Sequence, residues 1–263
     1  MENDKAGIGY SDLKDSFSAG REAAQEGLSA RNNRPGSMAL AFCTGQHDPL
    51  ACLEGIRSVL GSTPVVGGAA IGLITAEHLG YEGYQTGLAL LPEDLAVSLA
   101  TAGDVDRDER EAGRRLAACL NSSGVQRTRL GLLFYETIRQ GPPPAPLMNV
   151  SSYLIDCLSS ELRSTPDLLL GAGLIGSYSM KPGFQFLGSE IGYQSASATL
   201  LDGPFEAFFS IMHGCKPMSD YHTITRVEGP VVYEIDGRPA LEVVGDLLGA
   251  REWQDNLPLM LVT

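Results

Sequence analysis

The sequence predicts an internally duplicated α/β fold: two pseudo-symmetric units with largely antiparallel sheets and helices packed outside, as in an αββα-like sandwich. Three observations lead to this prediction. The chain has 263 residues, 43% hydrophobic and 19% charged, which is typical of a globular protein with a buried core. Helical and strand-like apolar patterns alternate along it. Segments of its first part recur later in the same order, which indicates a duplication.

Five segments carry the repeat. Residues 19–23 resemble 112–116, 38–42 resemble 130–134, 62–64 resemble 164–166, 65–72 resemble 169–176, and 83–86 resemble 192–195. The offsets lie between 92 and 109 residues. Chance rarely gives five matches in one order, so we expect two copies of one structural unit.

Each unit is predicted to run helix, strand, helix, strand, strand, strand. In the first unit these elements lie around 19–23, then at 38–42, Pro49–Leu60, 65–72, 84–91 and Ala96–Ala102. In the second they lie around 112–120, then at 130–134, 150–162, 169–176, 194–201 and 205–212. Pro64 and Pro166 follow the second helix of each unit, because proline cannot continue a helix. The proline-rich residues 141–146 are expected to form a rigid extended linker.

A terminal hairpin and helix follow the second unit. Residues 223–227 and Val231–Ile235 are predicted to pair around Glu228-Gly229-Pro230, and Pro239 opens a helix over Ala240–Leu248. The expected organisation is one domain at 1–249, followed at 250–263 by a linker or the start of a further C-terminal half. Within the domain, unit one lies at about 6–103, unit two at about 104–214, and the hairpin and helix at 219–249.

Composition excludes several classes of partner. Lys plus Arg number 19 against 32 Asp plus Glu, a net charge of -13, which repels nucleic-acid phosphates and anionic lipid. There is no long apolar run and no N-terminal leader pattern, so we expect no membrane insertion and a cytoplasmic location. The five cysteines include no CxxC pair and the four histidines no HxH or HExxH spacing, so neither a metal ion nor a cofactor is expected.

Several of these motifs together resemble the N-terminal half of FIST domains. They are Gly7-Ile8-Gly9-Tyr10-Ser11 with Ala19-Gly20, the segment 64–72, Gly214-Cys215-Lys216-Pro217, Thr223-Ile224-Thr225-Arg226, and Asp236-Gly237-Arg238-Pro239-Ala240. The resemblance spans almost the whole chain. It implies a sensory module of a signal-transduction protein that binds a small ligand such as an amino acid and acts on an output domain or protein. Measured against that resemblance, we expect neither a C-terminal FIST half after Thr263 nor an output domain, nor whatever these parts would add to a pocket.

Two glycine-rich strand ends, Gly67-Gly68-Ala69 and Gly171-Ala172-Gly173, are the preferred candidates for the ligand site. In a pseudo-symmetric pair of units they would meet across the axis and leave backbone N–H groups free for a carboxylate or phosphate. The alternative is that these glycines only allow close packing in the sheet. Residues 171–176 also match GxGxxG, but Pro182 and Gly183 follow where a dinucleotide site requires a helix.

Cys43, His47 and Asp48 lie within six residues at a predicted strand-to-helix turn. A thiol beside an imidazole permits a Cys/His-dependent hydrolase or transferase. Asp48 is equally well explained as a helix N-cap and Cys43 as a core residue. Tyr135 replaces Cys43 in the second unit, so this position is expected to line the site in both halves without shared chemistry.

Arg226 is the last candidate, since a guanidinium can hold a ligand carboxylate through two N–H donors; the alternative is a structural ion pair. The preferred function, which rests mainly on the resemblance, is a small-ligand-binding sensory domain with no catalytic residue. A Cys43 enzyme and a protein-interaction scaffold without a pocket remain the alternatives. A cleft at the glycine-rich strand ends favours sensing, a solvent-accessible Cys43–His47 hydrogen bond favours catalysis, and an apolar patch at 259–262 favours a scaffold.

Overall fold

A computed structural model describes residues 5–81, 83–123, 128–139, 148–210, 217, 219–228 and 231–249. The chain divides into two compact units, Met1–Ala207 and Phe208–Thr263. Some sequence-based predictions concern residues outside the described part: the linker at 141–146, the motif at 214–216, the turn at 229–230 and the segment 250–263.

The larger unit contains four helices and twelve strands among its described residues. The helices are α1 (Ser16–Ser29), α2 (Pro49–Leu60), α3 (Glu109–Ser122) and α4 (Ser151–Glu161). Strands of the first part are β1 (Gly7–Ser11), β2 (Ala39–Thr44), β3 (Val65–Ala70), β4 (Gly72–Ile74), β5 (Leu79–Tyr81) and β6 (Thr86–Leu90). Those of the second are β7 (Ala96–Ala102), β8 (Leu130–Glu136), β9 (Leu168–Leu174), β10 (Gln185–Gly188), β11 (Glu190–Gly192) and β12 (Ala196–Asp202).

Two sheets repeat one topology. The first has the order β1-β6-β2-β3-β10-β11, and the second has the order β7-β12-β8-β9. In the first sheet, β6 pairs antiparallel with β1 and with β2, and β2 pairs parallel with β3. In the second sheet, β12 pairs antiparallel with β7 and with β8, and β8 pairs parallel with β9. The pairing is therefore largely antiparallel, and the duplication predicted from the five matched segments is confirmed.

The strand β7 belongs to the second sheet, where it pairs along its whole length with β12. The repeat pattern in the sequence predicts Ala96–Ala102 at the end of unit one. Each structural repeat instead begins with its edge strand, so β7 is the counterpart of β1. The strand predicted at 205–212 is not formed at 205–210, the part of it that the structure describes.

The helices cover the outer faces of the two sheets. One core cluster joins α1 and α2 to the first sheet through residues such as Ala24, Ile56 and Leu88. A second joins α3 and α4 to the second sheet through residues such as Leu116 and Leu158.

A third cluster fills the space between the sheets and includes Met38, Val66, Phe134 and Leu174. The layers thus run helix, sheet, sheet, helix, which confirms the αββα-like sandwich predicted from the sequence.

The described residues of the smaller unit form a three-stranded sheet and one helix. Its elements are β13 (Ile224–Glu228), β14 (Val231–Ile235), β15 (Arg238–Pro239) and α5 (Ala240–Leu248). The Asp236 carboxylate accepts the N–H of Thr223 at 2.8 Å and pairs with His222 at 2.7 Å. Within the described residues, no helix has the length and apolar character needed to cross a lipid bilayer.

Candidate functional site

A cleft of about 500 Å³ opens where β3 and β9 end. Because these strands are equivalent in the two repeats, the cleft is bordered by both halves of the larger unit. Its lining residues are all uncharged: Phe42, Ala69, Ala70, Ile71, Gly72, Leu73, Ile74, Tyr81, Ala172, Gly173, Leu174, Ile175 and Tyr178. A ligand with an apolar body fits such a lining.

Large apolar side chains form the rim of the cleft. Ile74 is 72% exposed, and Tyr81 and Tyr178 are each 59% exposed. At the inner end, the ring of Phe42 meets that of its repeat counterpart Phe134 edge to face, with 5.5 Å between centroids. The short hairpin β4–β5 supplies one wall, and the end of β9 supplies the other.

Backbone polar groups at the free edge of β9 give this wall its hydrogen-bonding capacity. The carbonyl of Leu174 accepts the N–H of Thr137 at 2.9 Å, so Leu174 directs its polar groups toward β8. Backbone groups alternate in direction along a strand, so those of Gly171 and Gly173 point to the opposite edge. No strand among the described residues pairs with that edge.

The structure brings together three of the nine sequence-predicted site residues at the cleft. Ala69, Ala172 and Gly173 line it. Gly171 is an exposed residue of the adjoining strand β9. Gly67 and Gly68 lie within β3 and are buried.

The backbone conformation explains why Gly67 and Gly68 are glycines. Their φ angles are +127° and +148°, a region that strains residues with a side chain. A Cβ at Gly68 would also lie 2.2 Å from the carbonyl oxygen of Phe184. Close packing between β3 and β10 therefore accounts for Gly68.

Cys43 and Tyr135 lie on the faces of their sheets that the helices cover. Cys43 is 0% exposed and belongs to the core cluster beneath α1 and α2, and Tyr135 packs against the equivalent cluster of the second half. The Cys43 thiol interacts with that of Cys52; this hydrogen bond and burial raise the pKa of Cys43 well above its ordinary value. A thiol held in the protonated form is a poor nucleophile.

His47 is engaged with Ser16. Its Nδ1 lies 3.1 Å from the Ser16 hydroxyl, the residue is 4% exposed, and burial lowers its pKa. Asp48 caps α2 by accepting the N–H of Ala51 at 2.8 Å. These contacts match the N-cap and core interpretation of the segment and not a catalytic pair.

Arg226 lies in β13, in the smaller unit. Its guanidinium is 3.4 Å from the carboxylate of Glu234 and lies 4.8 Å from the ring centroid of Tyr233. These contacts are those of a structural ion pair on neighbouring strands.

Sequence reasoning missed a pair of polar contacts near the cleft. The N–H of Gln85 donates to the Thr44 hydroxyl at 3.2 Å, and the N–H of the equivalent Gln194 donates to Glu136 at 2.5 Å. Glu136 is 0% exposed, and desolvation raises its pKa to about 7. The repeated segments 83–86 and 192–195 were the available signal, because they place the two glutamines at matching positions.

Sequence reasoning also missed the rim residues Tyr81 and Tyr178, which lie outside the recurring segments. Within the described ranges, no three side chains of the types that ligate metals come together.

The fold and the cleft define a duplicated four-layered α/β domain with a ligand-sized cleft at the ends of its two glycine-rich strands. A family model described as FIST N domain matches residues 37–238, and the chain belongs to that family. FIST domains are sensory modules of signal transduction.

Two solved structures of cyanuric acid hydrolase are similar to the chain at a low level. One, described as an evolutionary innovation by structural concatenation, has 9% identity and a TM-score of 0.38, and the match covers 74% of this chain and 69% of that one. The other, from A. caulinodans, has 12% identity and a TM-score of 0.35, with 75% and 71% covered. No curated protein matches the chain at a significant level.

Proposed function

We propose that the chain is the ligand-binding sensory domain of a signal-transduction protein and that its ligand binds in the cleft between the ends of β3 and β9. The observation that carries this proposal is the cleft itself: about 500 Å³, lined by uncharged residues of both repeats. That volume lies within the range of small-molecule sites.

The lining indicates the class of ligand. Ile71, Leu73 and Leu174 offer an apolar interior, and the outward N–H groups of Gly171 and Gly173 offer donors at its border. An amino acid with an apolar side chain fits both features, because its side chain would enter the cleft while its carboxylate meets the backbone donors. Small apolar carboxylates share this chemistry.

The position of the cleft suggests how binding is transmitted. Its walls come from both repeats, so a ligand contacts both sheets at once and favours the arrangement of walls that it fits best. The partner that reads this change would be a signalling output domain or protein. The same proposal places the chain in the cytoplasm, where Cys43, Cys52, Cys119 and Cys157 remain free thiols as they are here.

A thermal-shift screen of amino acids, small carboxylates and nucleotides tests the proposal. A ligand at 100 times its Kd stabilises the folded state by about 2.7 kcal/mol, which gives a measurable rise in Tm. Ala172→Phe, which fills the cleft from β9, should remove the shift. Ala96→Phe, the same change at an exposed site on the opposite edge strand, should retain it.

Two results would count against the proposal. One is that no compound of the screen shifts Tm. The other is that a shift persists in Ala172→Phe with unchanged size, which would place the ligand elsewhere. No observation favours the alternative of an enzyme based on Cys43, since its thiol is buried and its pKa is raised. The apolar residues 259–262 that would favour a scaffold lie outside the described residues.

A further inference from the structure

The two repeats differ at one sheet edge. In the first sheet, β10 pairs antiparallel with the outer edge of β3. In the second sheet, the equivalent outer edge of β9 has no partner strand among the described residues. The hairpin β4–β5 occupies the position in the first repeat that β10–β11 occupies in the second. Within the described part of the chain its two strands pair only with each other, and it stands across the cleft from β9.

The paired edge shows what the open edge can accept. Gly67 faces Phe186, and Gly68 faces Gln185 in β10. The N–H of Ala69 donates to the carbonyl of Phe184 at 3.0 Å. Alignment of the repeats makes Gly171 and Gly173 the counterparts of Gly67 and Ala69.

At the open edge the same groups are accessible. Gly171, Ala172 and Gly173 are all exposed, and the first and last of them direct their N–H and C=O groups outward. Exposed backbone groups of this kind pair readily with an added strand. Neither glycine carries a side chain that would hinder one.

The two edge strands of the second sheet, β9 and β7, differ in how their counterparts in the first sheet are paired. The strand β7 is also an edge strand, but its counterpart β1 is an edge strand in the first sheet as well. Among the sheet edges that the structure describes, β9 shares this difference with the strand β4, whose counterpart β10 pairs with β3. Of the two, β9 is the longer, with seven residues against three. Since the site borders the cleft, this inference rests on the proposed function and specifies its ligand.

We propose that the ligand is an extended peptide segment that adds antiparallel to the edge of β9, with its backbone paired to Gly171 and Gly173 as β10 is paired to β3. Strand addition of this kind takes affinity from main-chain hydrogen bonds and selectivity from alternate side chains. The side chain opposite Ala172 would point toward the cleft, where apolar lining favours an aliphatic or aromatic residue. The partner is therefore a protein or peptide with an apolar extended segment.

The chain itself supplies the basis of the probe: a blocked peptide with the sequence of residues 183–188, Gly-Phe-Gln-Phe-Leu-Gly, carrying Gln185→Leu so that an aliphatic side chain stands opposite Ala172. In the register of β10, the N–H groups of its two phenylalanines would point at Gly173 and Gly171, and those of its two leucines would point away. Methylating one backbone nitrogen at a time removes one donor and leaves the side chains unchanged.

Titration of the full chain with this peptide and its four N-methyl forms tests the inference. Methylation at either Phe should weaken binding at least about tenfold, because a hydrogen bond is lost and a methyl group is forced against the edge. Methylation at either Leu should leave Kd nearly unchanged. Amide exchange measured by NMR should slow at Gly171 and Gly173, which separates pairing with β9 from displacement of β10 on β3.

Equal effects of all four methyl groups, or binding without slower exchange at Gly171 and Gly173, would overturn the inference. Absence of peptide binding would overturn it too. If an amino acid still raises Tm and Ala172→Phe removes that shift, the proposed function survives while the peptide inference fails. If neither peptide nor small molecule binds, both are wrong.

Discussion

The carboxyl group of Glu136 is buried in the larger unit, at 0% exposure. It lies at the end of β8, paired in register with the cleft residue Leu174, and accepts the N–H of Gln194. Burial outweighs that hydrogen bond and raises its pKa from 4.5 to about 7. Folding therefore favours the protonated form of this group at mildly acidic pH.

This shift predicts how Glu136 changes stability with pH. Between about pH 4.5 and pH 7 the folded protein binds a proton that the unfolded chain releases, so this contribution to the free energy of unfolding decreases as pH rises, by roughly 3 kcal/mol at most. Glu136→Gln keeps an acceptor oxygen but does not titrate. Urea unfolding of both proteins at about pH 5 and pH 7.5 should show wild type losing stability relative to the variant. Equal pH dependence of the two would contradict the prediction.

A second prediction at the residue scale concerns Gly68. Gly68→Ala should lower the free energy of unfolding by at least about 2 kcal/mol, since it combines an unfavourable φ with overlap against the Phe184 carbonyl. Gly103→Ala, where a Cβ meets nothing within 4 Å, should change stability by less than about 0.5 kcal/mol. Similar urea midpoints for the two variants would show that the β3–β10 contact is looser than described. Gly68 is consequently unsuitable for testing ligand binding.

Helix α2 begins at a cap formed by the side chain of Asp48. Asp48 accepts the N–H of Ala51 at 2.8 Å, and Pro49 stands in the first turn, where its missing N–H costs nothing. Asp48→Ala should destabilise the protein by about 1 kcal/mol, whereas Asp48→Asn, which keeps a capping oxygen, should be nearly neutral. Thermal unfolding of the three proteins measures this. Equal losses in both variants would assign the effect to the charge and not to the cap.

Elements with strong local patterns could be predicted, and elements defined by distant partners could not. The observed bounds of α2, β7 and α5 coincide with the predicted ones, because amphipathic or apolar runs end there at Pro, Gly or charged residues. The strand β10 was missed. It has four residues, follows Pro182 and Gly183, and is held by β3 from the other repeat, so nothing in its own sequence marks it as a strand.

For the whole molecule, the packing of one sheet on the other joins the two repeats. Phe42 and Phe134, which hold equivalent positions in β2 and β8, meet edge to face in this layer. The repeated apolar segments predicted two equivalent strands. The contact between Phe42 and Phe134 could not be predicted, because it depends on how the two sheets pack on each other.

A double-mutant cycle tests this junction. Each of Phe42→Ala and Phe134→Ala should cost about 3 kcal/mol or more from lost burial. Together they should cost less than the sum, by about 0.5 to 1.5 kcal/mol, because the contact between the rings is lost only once. Urea unfolding followed by circular dichroism gives the four free energies. Strict additivity would mean that the two rings are not in contact in solution.

The repeat allowed the two glycine-rich segments to be recognised as equivalent, and they lie in the equivalent strands β3 and β9. That a ligand binds at the ends of these strands stays a prediction. The aromatic rim at Tyr81 and Tyr178 was missed, because exposed side chains in short, irregular segments follow no period. Cys43 was a candidate because His47 and Asp48 follow it closely in the sequence. Its side chain, however, points to the helices and not to the cleft.

We propose that one cleft, built from both repeats, binds the ligand. Hydrogen–deuterium exchange of the full chain, with and without the compound that gives the largest thermal shift, tests this proposal. We predict slower exchange in two separate segments together, 70–74 and 172–175, because both line the cleft. Protection confined to one of these segments, or found only in other parts of the chain, would mean that the ligand does not bind between the two repeats.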